Sequence, residues 1–257
     1  MEARRKEAPT PNARGYVAFL DVLGFSALVN SDESGEKVER YRHSIERATS
    51  SSDVKSVVFS DSIVLTAEDV RPESFLTIAH ACSTLMSDLL AADIALRGAI
   101  AFGRFTRSNV GEGVFVAGPA LIDAYNWENK QDWVGIMIAP SALEAVSDLG
   151  ARCNFDQAYQ GTDSPWVATV QRCYSIKFHS SLPLETSTFD GFAVVPTNSQ
   201  SAPAEILQSI RTSIGHLQWL RMIAPSPDSQ GKYQAALGWL RELEGHWRRV
   251  AQIRQRR

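Results

Sequence analysis

The apolar positions from Tyr16 to Val22 run almost unbroken, the pattern of a buried strand, and a helix starts at Gly24 with Ser26 able to cap it. A polar helix is expected over residues 35–50. Two short apolar runs, Val57 to Phe59 and Ile63 to Leu65, flank Ser60-Asp61-Ser62 and predict a tight hairpin with Asp61 at or beside its turn. Phe75, Ile78, Cys82, Leu85 and Leu89 recur every three to four residues, so Pro72 to Ala92 reads as a helix packed on a sheet. A strand from Ile94 to Phe105 is interrupted by Gly98 and Gly103, where a backbone or ligand can approach closely. Val114 to Ala117 and Val134 to Ile138 are further strands, each followed by a helix, one from Gly118-Pro119 to about Asn129 and one from Pro140 or Ser141.

Beyond residue 150 the pattern weakens. A loop-rich stretch covers 150–168, with strands near Val167 to Ile176 and over Gly191 to Pro196. Two amphipathic helices follow, one carrying Ile206, Ile210, Ile214 and Leu217, the other Tyr233, Leu237, Leu240, Trp247 and Val250, with "APSPDSQG" as the breaker between them. The expected class is α+β, because hairpins exclude a purely parallel sheet. The expected division is a mobile tail over 1–14, one domain over 15–198 and a helical extension over 199–257.

Charge and composition narrow the chemistry. The 257 residues are 44% hydrophobic and carry a net charge of −3, enough for a substantial core and without a field favouring nucleic acid. No stretch approaches the roughly 18 apolar residues of a membrane span, and the charged start lacks the apolar region of a secretory signal, so a cytoplasmic protein is expected. Cys82, Cys153 and Cys173 lack CxxC spacing, and His43, His80, His179, His216 and His246 never fall at zinc-ligand spacing. Zinc and serine-hydrolase chemistry are therefore poorly supported.

Two carboxylates stand out. Asp21 and Asp61 each lie just past an apolar run, and they converge if their strands are neighbours. An Asp at a strand end is most often a turn former or a cap. Convergent carboxylates on rigid strand ends also suit Mg²⁺ or Mn²⁺, which take oxygen ligands and share them with substrate phosphates. The turn Leu23-Gly24-Phe25-Ser26 adds a helix N-terminus whose N–H groups can face a phosphate. Neither a GxxxxGK[ST] loop nor a GxGxxG fingerprint is present.

These motifs resemble the class III nucleotidyl cyclases. "FLDVLGFSAL" is similar to their first metal-binding strand and turn, "VVFSDSIVL" to the hairpin of their second metal site, "LRGAIAFG" to the strand L-R-x-G-I-H-x-G, and "GPALIDAYNWE" to the helix G-x-x-V-N-x-A-x-R-L-E. The order agrees over residues 16 to about 140. The resemblance implies a ferredoxin-like cyclase domain with a mixed, mainly antiparallel sheet flanked by helices. It implies two Mn²⁺ or Mg²⁺ ions held by Asp21, Asp61 and the Val22 carbonyl, and a homodimer with sites at the interface.

The departures from the family bear on the base. Ile122 and Asn126 stand where the family helix has its ribose-orienting Asn and its transition-state Arg, and Val57 and Phe115 replace the purine-selecting pair. This combination resembles the Pycsar pyrimidine cyclases of bacterial antiphage defence. That implies conversion of UTP, or alternatively CTP, to a cyclic monophosphate read by a separate effector, with no nucleic-acid or membrane partner. On this resemblance the backbone N–H groups of Leu23, Gly24 and Phe25 hold phosphates. Arg97 reaches a phosphate or pyrimidine carbonyl, or else forms a surface ion pair with a partner such as Glu128. Asn126 replaces the family Arg, or is an ordinary exposed helix residue. Phe59, Phe115 and Tyr125 shape the base pocket, or are core. Lys177 lies roughly where the family places a phosphate-binding lysine. A catalytically inactive cyclase-fold nucleotide sensor and a two-carboxylate hydrolase are the rival readings.

Overall fold

The computed structural model describes residues 10–50, 53–142, 144–145, 166–167, 192–193, 195–196 and 203–255. Its elements run in the order β1 (Thr10–Val22), α1 (Phe25–Ser31), α2 (Glu36–Thr49), β2 (Lys55–Phe59), β3 (Ser62–Ala67), α3 (Pro72–Ala91), β4 (Leu96–Val110), β5 (Gly113–Ala117), α4 (Pro119–Asn129) and β6 (Gly135–Ile138). Three two-residue strands follow, β7 (Trp166–Val167), β8 (Phe192–Ala193) and β9 (Val195–Pro196). Two long helices close the chain, α5 (Pro203–Ile223) and α6 (Pro227–Gln255). The fold is α+β with a C-terminal helical part, as expected. Most of the expected strand from Val167 to Ile176 lies outside the described residues.

The principal sheet has the order β2-β3-β1-β4-β6-β8, with β5 paired to the outer half of β4. Within it β4-β1-β3-β2 is the ferredoxin-like arrangement: β1 is antiparallel to both β3 and β4, and each helical crossover skips one strand. β6 adds in parallel to β4.

Strand β1 reads as continuously apolar because both of its faces are covered. Tyr16, Ala18, Leu20 and Val22 join the large core with α2 and α3, to which the C-terminal helices contribute Ile210, Leu217, Leu220, Tyr233, Leu237 and Leu240. On the other face Val17 meets Phe105 and Ala120, while Phe19 lies against the Ala101, Ala124 and Ala139 cluster, both under α4. The small alanines let α4 lie close to the sheet. Gly118, at φ 144, makes that docking possible, since a Cβ there would sit 2.6 Å from Phe105 Cα.

Three expectations are corrected. β1 begins at Thr10 rather than after residue 14, because β4 is long enough to pair with it out to Arg107. The cap of α1 is Gly24 in the left-handed region at φ 74, with no side-chain cap from Ser26. The breaker between the last two helices is shorter than the pattern implied, because Pro227 starts α6 in the first helical turn, where its missing N–H costs nothing.

Candidate two-carboxylate site

Asp21 is the penultimate residue of β1 and shares the α4-side face with Val17 and Phe19. Its cross-strand neighbours are Ser62 on β3 and Arg97 on β4. Asp61 sits in the two-residue turn between β2 and β3, next to Ser60, which takes the left-handed φ of 56. The turn is fixed to the end of β1 by the Val22 N–H, which donates to the Asp61 carbonyl at 3.0 Å. From the helical side the Tyr41 hydroxyl donates to the Ser60 carbonyl at 3.1 Å. Sequence pattern put a carboxylate at each strand end; the pairing of β1 with β3 brings them to one edge.

The electrostatics follow from that placement. Burial pushes the Asp21 carboxyl up to about 6, and the neighbouring charges of Glu128 and Asp61 push the same way; Arg97 and Lys232 of α6 oppose them. The Tyr41 phenol is likewise raised, by burial and then by Asp61 and Asp21. The donor set is hard oxygen, the chemistry Mg²⁺ and Mn²⁺ accept. Among the described residues no group of three or more His, Cys, Asp or Glu could hold a metal, so two side chains are what this chain brings to the edge.

Arg97 does pair with Glu128, but the pair lies inside the fold and not on its surface, because α4 docks with Glu128 facing the sheet. Its Nε and Nη2 donate to Glu128 Oε1 at 2.6 and 2.5 Å, and its Nη1 donates to the Gln131 carbonyl at 2.9 Å. Glu128 and Gln131 are each only 2% exposed. Arg97 and Glu128 both bear on Asp21, yet neither the run at Asp21 nor its spacing from Arg97 signals this; it depends on strand register and on the docking of α4.

The turn after Asp21 is also used differently from expectation. The Leu23 N–H donates to the Ala95 carbonyl at 3.0 Å, so that donor is spent within the fold and is withdrawn from the phosphate-binding set. The Gly24 carbonyl accepts from Leu28 N–H at 3.0 Å, and the Phe25 ring lies 5.6 Å from that of Tyr41, turned toward the core.

Of the three aromatic candidates none is core: Phe59 is 82% exposed, Phe115 49% and Tyr125 48%. Phe59 ends β2 beside Ser60 and Asp61, so it borders the carboxylate edge. Tyr125 meets Phe19 edge-on at 5.3 Å, two positions before Asp21 on the same face. Phe115 is remote. It pairs with Ser108, which lies eleven positions along β4 from Arg97, on the order of 35 Å. Asn126 is exposed on α4 while Ala124 and Glu128 face inward, so it does not join Asp21 within one chain.

Lys177, Cys153, Cys173 and His179 lie outside the described residues. Cys82 is buried, and burial pushes its thiol up, which suits packing and not nucleophilic chemistry. A cavity of about 410 Å³ lined by Asp53, Lys55, Glu68, Asp69 and Arg71 opens at the other end of β3, away from Asp61. Its charges are paired across it, Arg71 with Asp69 at 2.5 Å and Lys55 with Glu68 at 3.9 Å.

No protein-family model matches the chain, and no curated protein matches it. Solved structures similar to it include the monomeric guanylyl cyclase domain of the RhoGC fusion protein from the aquatic fungus Blastocladiella emersonii, at 15% identity and TM-score 0.42 over 56% of this chain and 89% of that one. The adenylyl cyclase CyaB from P. aeruginosa is similar at 15% identity and TM-score 0.45, over 55% and 84%. The guanylyl cyclase Cya2 is similar at 15% identity and TM-score 0.43, over 55% and 80%.

Proposed function

We propose that this chain is a pyrimidine nucleotide cyclase that converts UTP to 3′,5′-cyclic UMP and pyrophosphate. The observation that carries the reading is the convergence of Asp21 and Asp61, held by the Val22 N–H to Asp61 carbonyl bond at the edge where the cyclase-like motifs "FLDVLGFS" and "FSDSI" meet. Asp21, Asp61 and the Val22 carbonyl would hold two divalent ions. When bound, such ions lower the pKa of the ribose 3′-OH and neutralise triphosphate charge.

The chain's own residues position the reactants. Asp21 stands near the end of β1 and Asp61 in the turn bonded to it, so together they would fix the attacking oxygen against the α-phosphorus without a side-chain base. A bond forms from the 3′-oxygen to the α-phosphorus, the bond to the β-phosphate oxygen breaks, pyrophosphate leaves and the hydroxyl proton passes to solvent. The Gly24 and Phe25 N–H groups face the outer phosphates. Phe59 and Tyr125 offer the base an apolar wall.

A second copy completes the site. Phe115 and Asn126 cannot reach Asp21 within one chain, so on this reading they act across a homodimer interface to which exposed Phe59, Ile122 and Phe115 also belong. Val57 and Phe115 offer no polar group for purine selection, which favours a pyrimidine; cytidylate is the alternative base. Following the resemblance, the product is a messenger of bacterial antiphage defence that acts on a separate effector. Protection of a bacterial host that survives Asp21→Ala would refute that role.

The commitment of Arg97 to Glu128 favours a second reading, a nucleotide-binding cyclase-fold sensor without turnover. One assay separates the two. The full chain is incubated with Mn²⁺ and each of ATP, GTP, CTP and UTP, and products are resolved by mass. A cyclic pyrimidine monophosphate, lost in Asp21→Ala and in Asp61→Ala, is expected; turnover of ATP alone, or of nothing, overturns the cyclase reading.

A further inference from the structure

Asp21 and Arg97 are directly opposed in the antiparallel ladder of β1 and β4. Residues so placed have Cβ atoms about 5 Å apart on one face of the sheet, and opposite charges there ordinarily pair. A guanidinium bound to Asp21 would occupy the carboxylate that a divalent cation needs. The contacts of Arg97 go elsewhere: two of its nitrogens hold Glu128 Oε1, and the third donates to the Gln131 carbonyl.

That diversion is braced from three sides. Gln131 Nε2 donates to the Gly98 carbonyl at 2.7 Å and to the Trp127 carbonyl at 3.1 Å, pinning the backbone that receives Arg97. Trp133 Nε1 donates to Gln131 Oε1 at 2.6 Å. The Trp133 ring fits because residue 135 is glycine; a Cβ there would lie 2.5 Å from the ring. Trp239 of α6 closes the far side, edge-on to Trp133 at 5.7 Å. Burying Glu128 and Gln131 at 2% exposure, with Arg97 at 14%, is seldom worth more than packing apolar side chains, so what such a network contributes is position.

We infer that Glu128 is a positioning residue that draws Arg97 away from its cross-strand partner Asp21 and so keeps that carboxylate available to a divalent cation. The inference rests on Asp21 being a metal ligand, as in the proposed function. Gln131, Trp133 and Trp239 hold the diversion in place, which makes the C-terminal hairpin a support of the carboxylate edge.

The test is Mn²⁺ binding to the full chain without nucleotide, read from the electron paramagnetic resonance signal of the free ion. Glu128→Gln releases Arg97 to Asp21 and is expected to weaken Mn²⁺ about tenfold or more. Removing the competitor as well, in Arg97→Met/Glu128→Gln, is expected to return affinity to within about threefold of the unmodified chain. A Glu128→Gln chain that binds as before, or a double variant as weak as the single one, overturns the inference. Thermal melts show whether each variant folds. If Glu128→Gln does not, Glu128→Asp is expected to lose about threefold, and Arg97→Met/Glu128→Met, apolar on both sides, to bind as the unmodified chain does. An unmodified chain that binds no Mn²⁺ overturns the metal-site reading itself, and this inference with it.

Discussion

Asp21 is a residue that folding alone disfavours. Its carboxyl titrates at about 6 in the metal-free fold against an ordinary 3.8, because burial and two neighbouring carboxylates oppose ionisation. The folded state therefore holds the proton more tightly than the unfolded one, and the metal-free protein loses stability as pH rises from about 4 to 6. Asp21→Asn is expected to raise the stability of the metal-free protein at pH 8 by roughly 1–2 kcal/mol after allowance for solvent access, and to be neutral near pH 3, where both side chains are uncharged. Denaturant melts at the two pH values check this; an equal effect at both would mean that the charge is not the cause. Mn²⁺ should offset the same repulsion, raising the melting temperature of the unmodified chain but not that of Asp21→Asn. The carboxylate was legible in the sequence because a charge ending an apolar run is conspicuous. Its neighbour Glu128 was visible there as a helix residue that Arg97 could pair with, while the influence of Glu128 on Asp21 was not.

At the scale of elements, the β2–β3 hairpin and the entry to α4 carry the geometry. Ser60 adopts φ 56 in a two-residue turn, a region glycine occupies without penalty. Ser60→Gly is expected to stabilise by about 0.5–1 kcal/mol with no change in the ends of β2 and β3, and Ser60→Val to destabilise by more than that. Gly118→Ala meets both a φ of 144 and a 2.6 Å clash with Phe105 Cα, so it should cost about 3 kcal/mol and loosen α4. If circular dichroism melts show Gly118→Ala to be as stable as the parent, α4 does not dock as described. The hairpin was predicted from two apolar runs around Ser60-Asp61, and it formed there. The Leu23 N–H could not be placed in the same way, because its acceptor, Ala95, immediately precedes a strand distant in sequence.

For the whole molecule, the C-terminal helices share one core with the sheet, through Leu217, Tyr233 and Leu237. Trp239→Ala is expected to lower stability by about 2–4 kcal/mol, and removal of residues 199–257 to abolish cooperative unfolding, since it strips one side of that core. A truncated chain that melts as sharply as the full one would show the hairpin to be an appendage. Phe115→Asp should weaken self-association in sedimentation if β5 lies at a copy–copy interface, leaving the melt of the separated chain unchanged.

Among the described residues the sequence by itself determined the principal strands and helices, though not all of their ends, because the period of its apolar positions reports which faces are buried: two for β1, one for α3, a stripe for α6. It also determined the identity of the carboxylates and the turn that follows the first. The tertiary structure decided what those groups meet. Register across β1 and β4 set Arg97 opposite Asp21, the docking of α4 turned Glu128 inward and Asn126 outward, and the length of β4 carried Phe115 away from the edge it was expected to share. Those outcomes depend on contacts between residues far apart in the chain, which no local periodicity encodes.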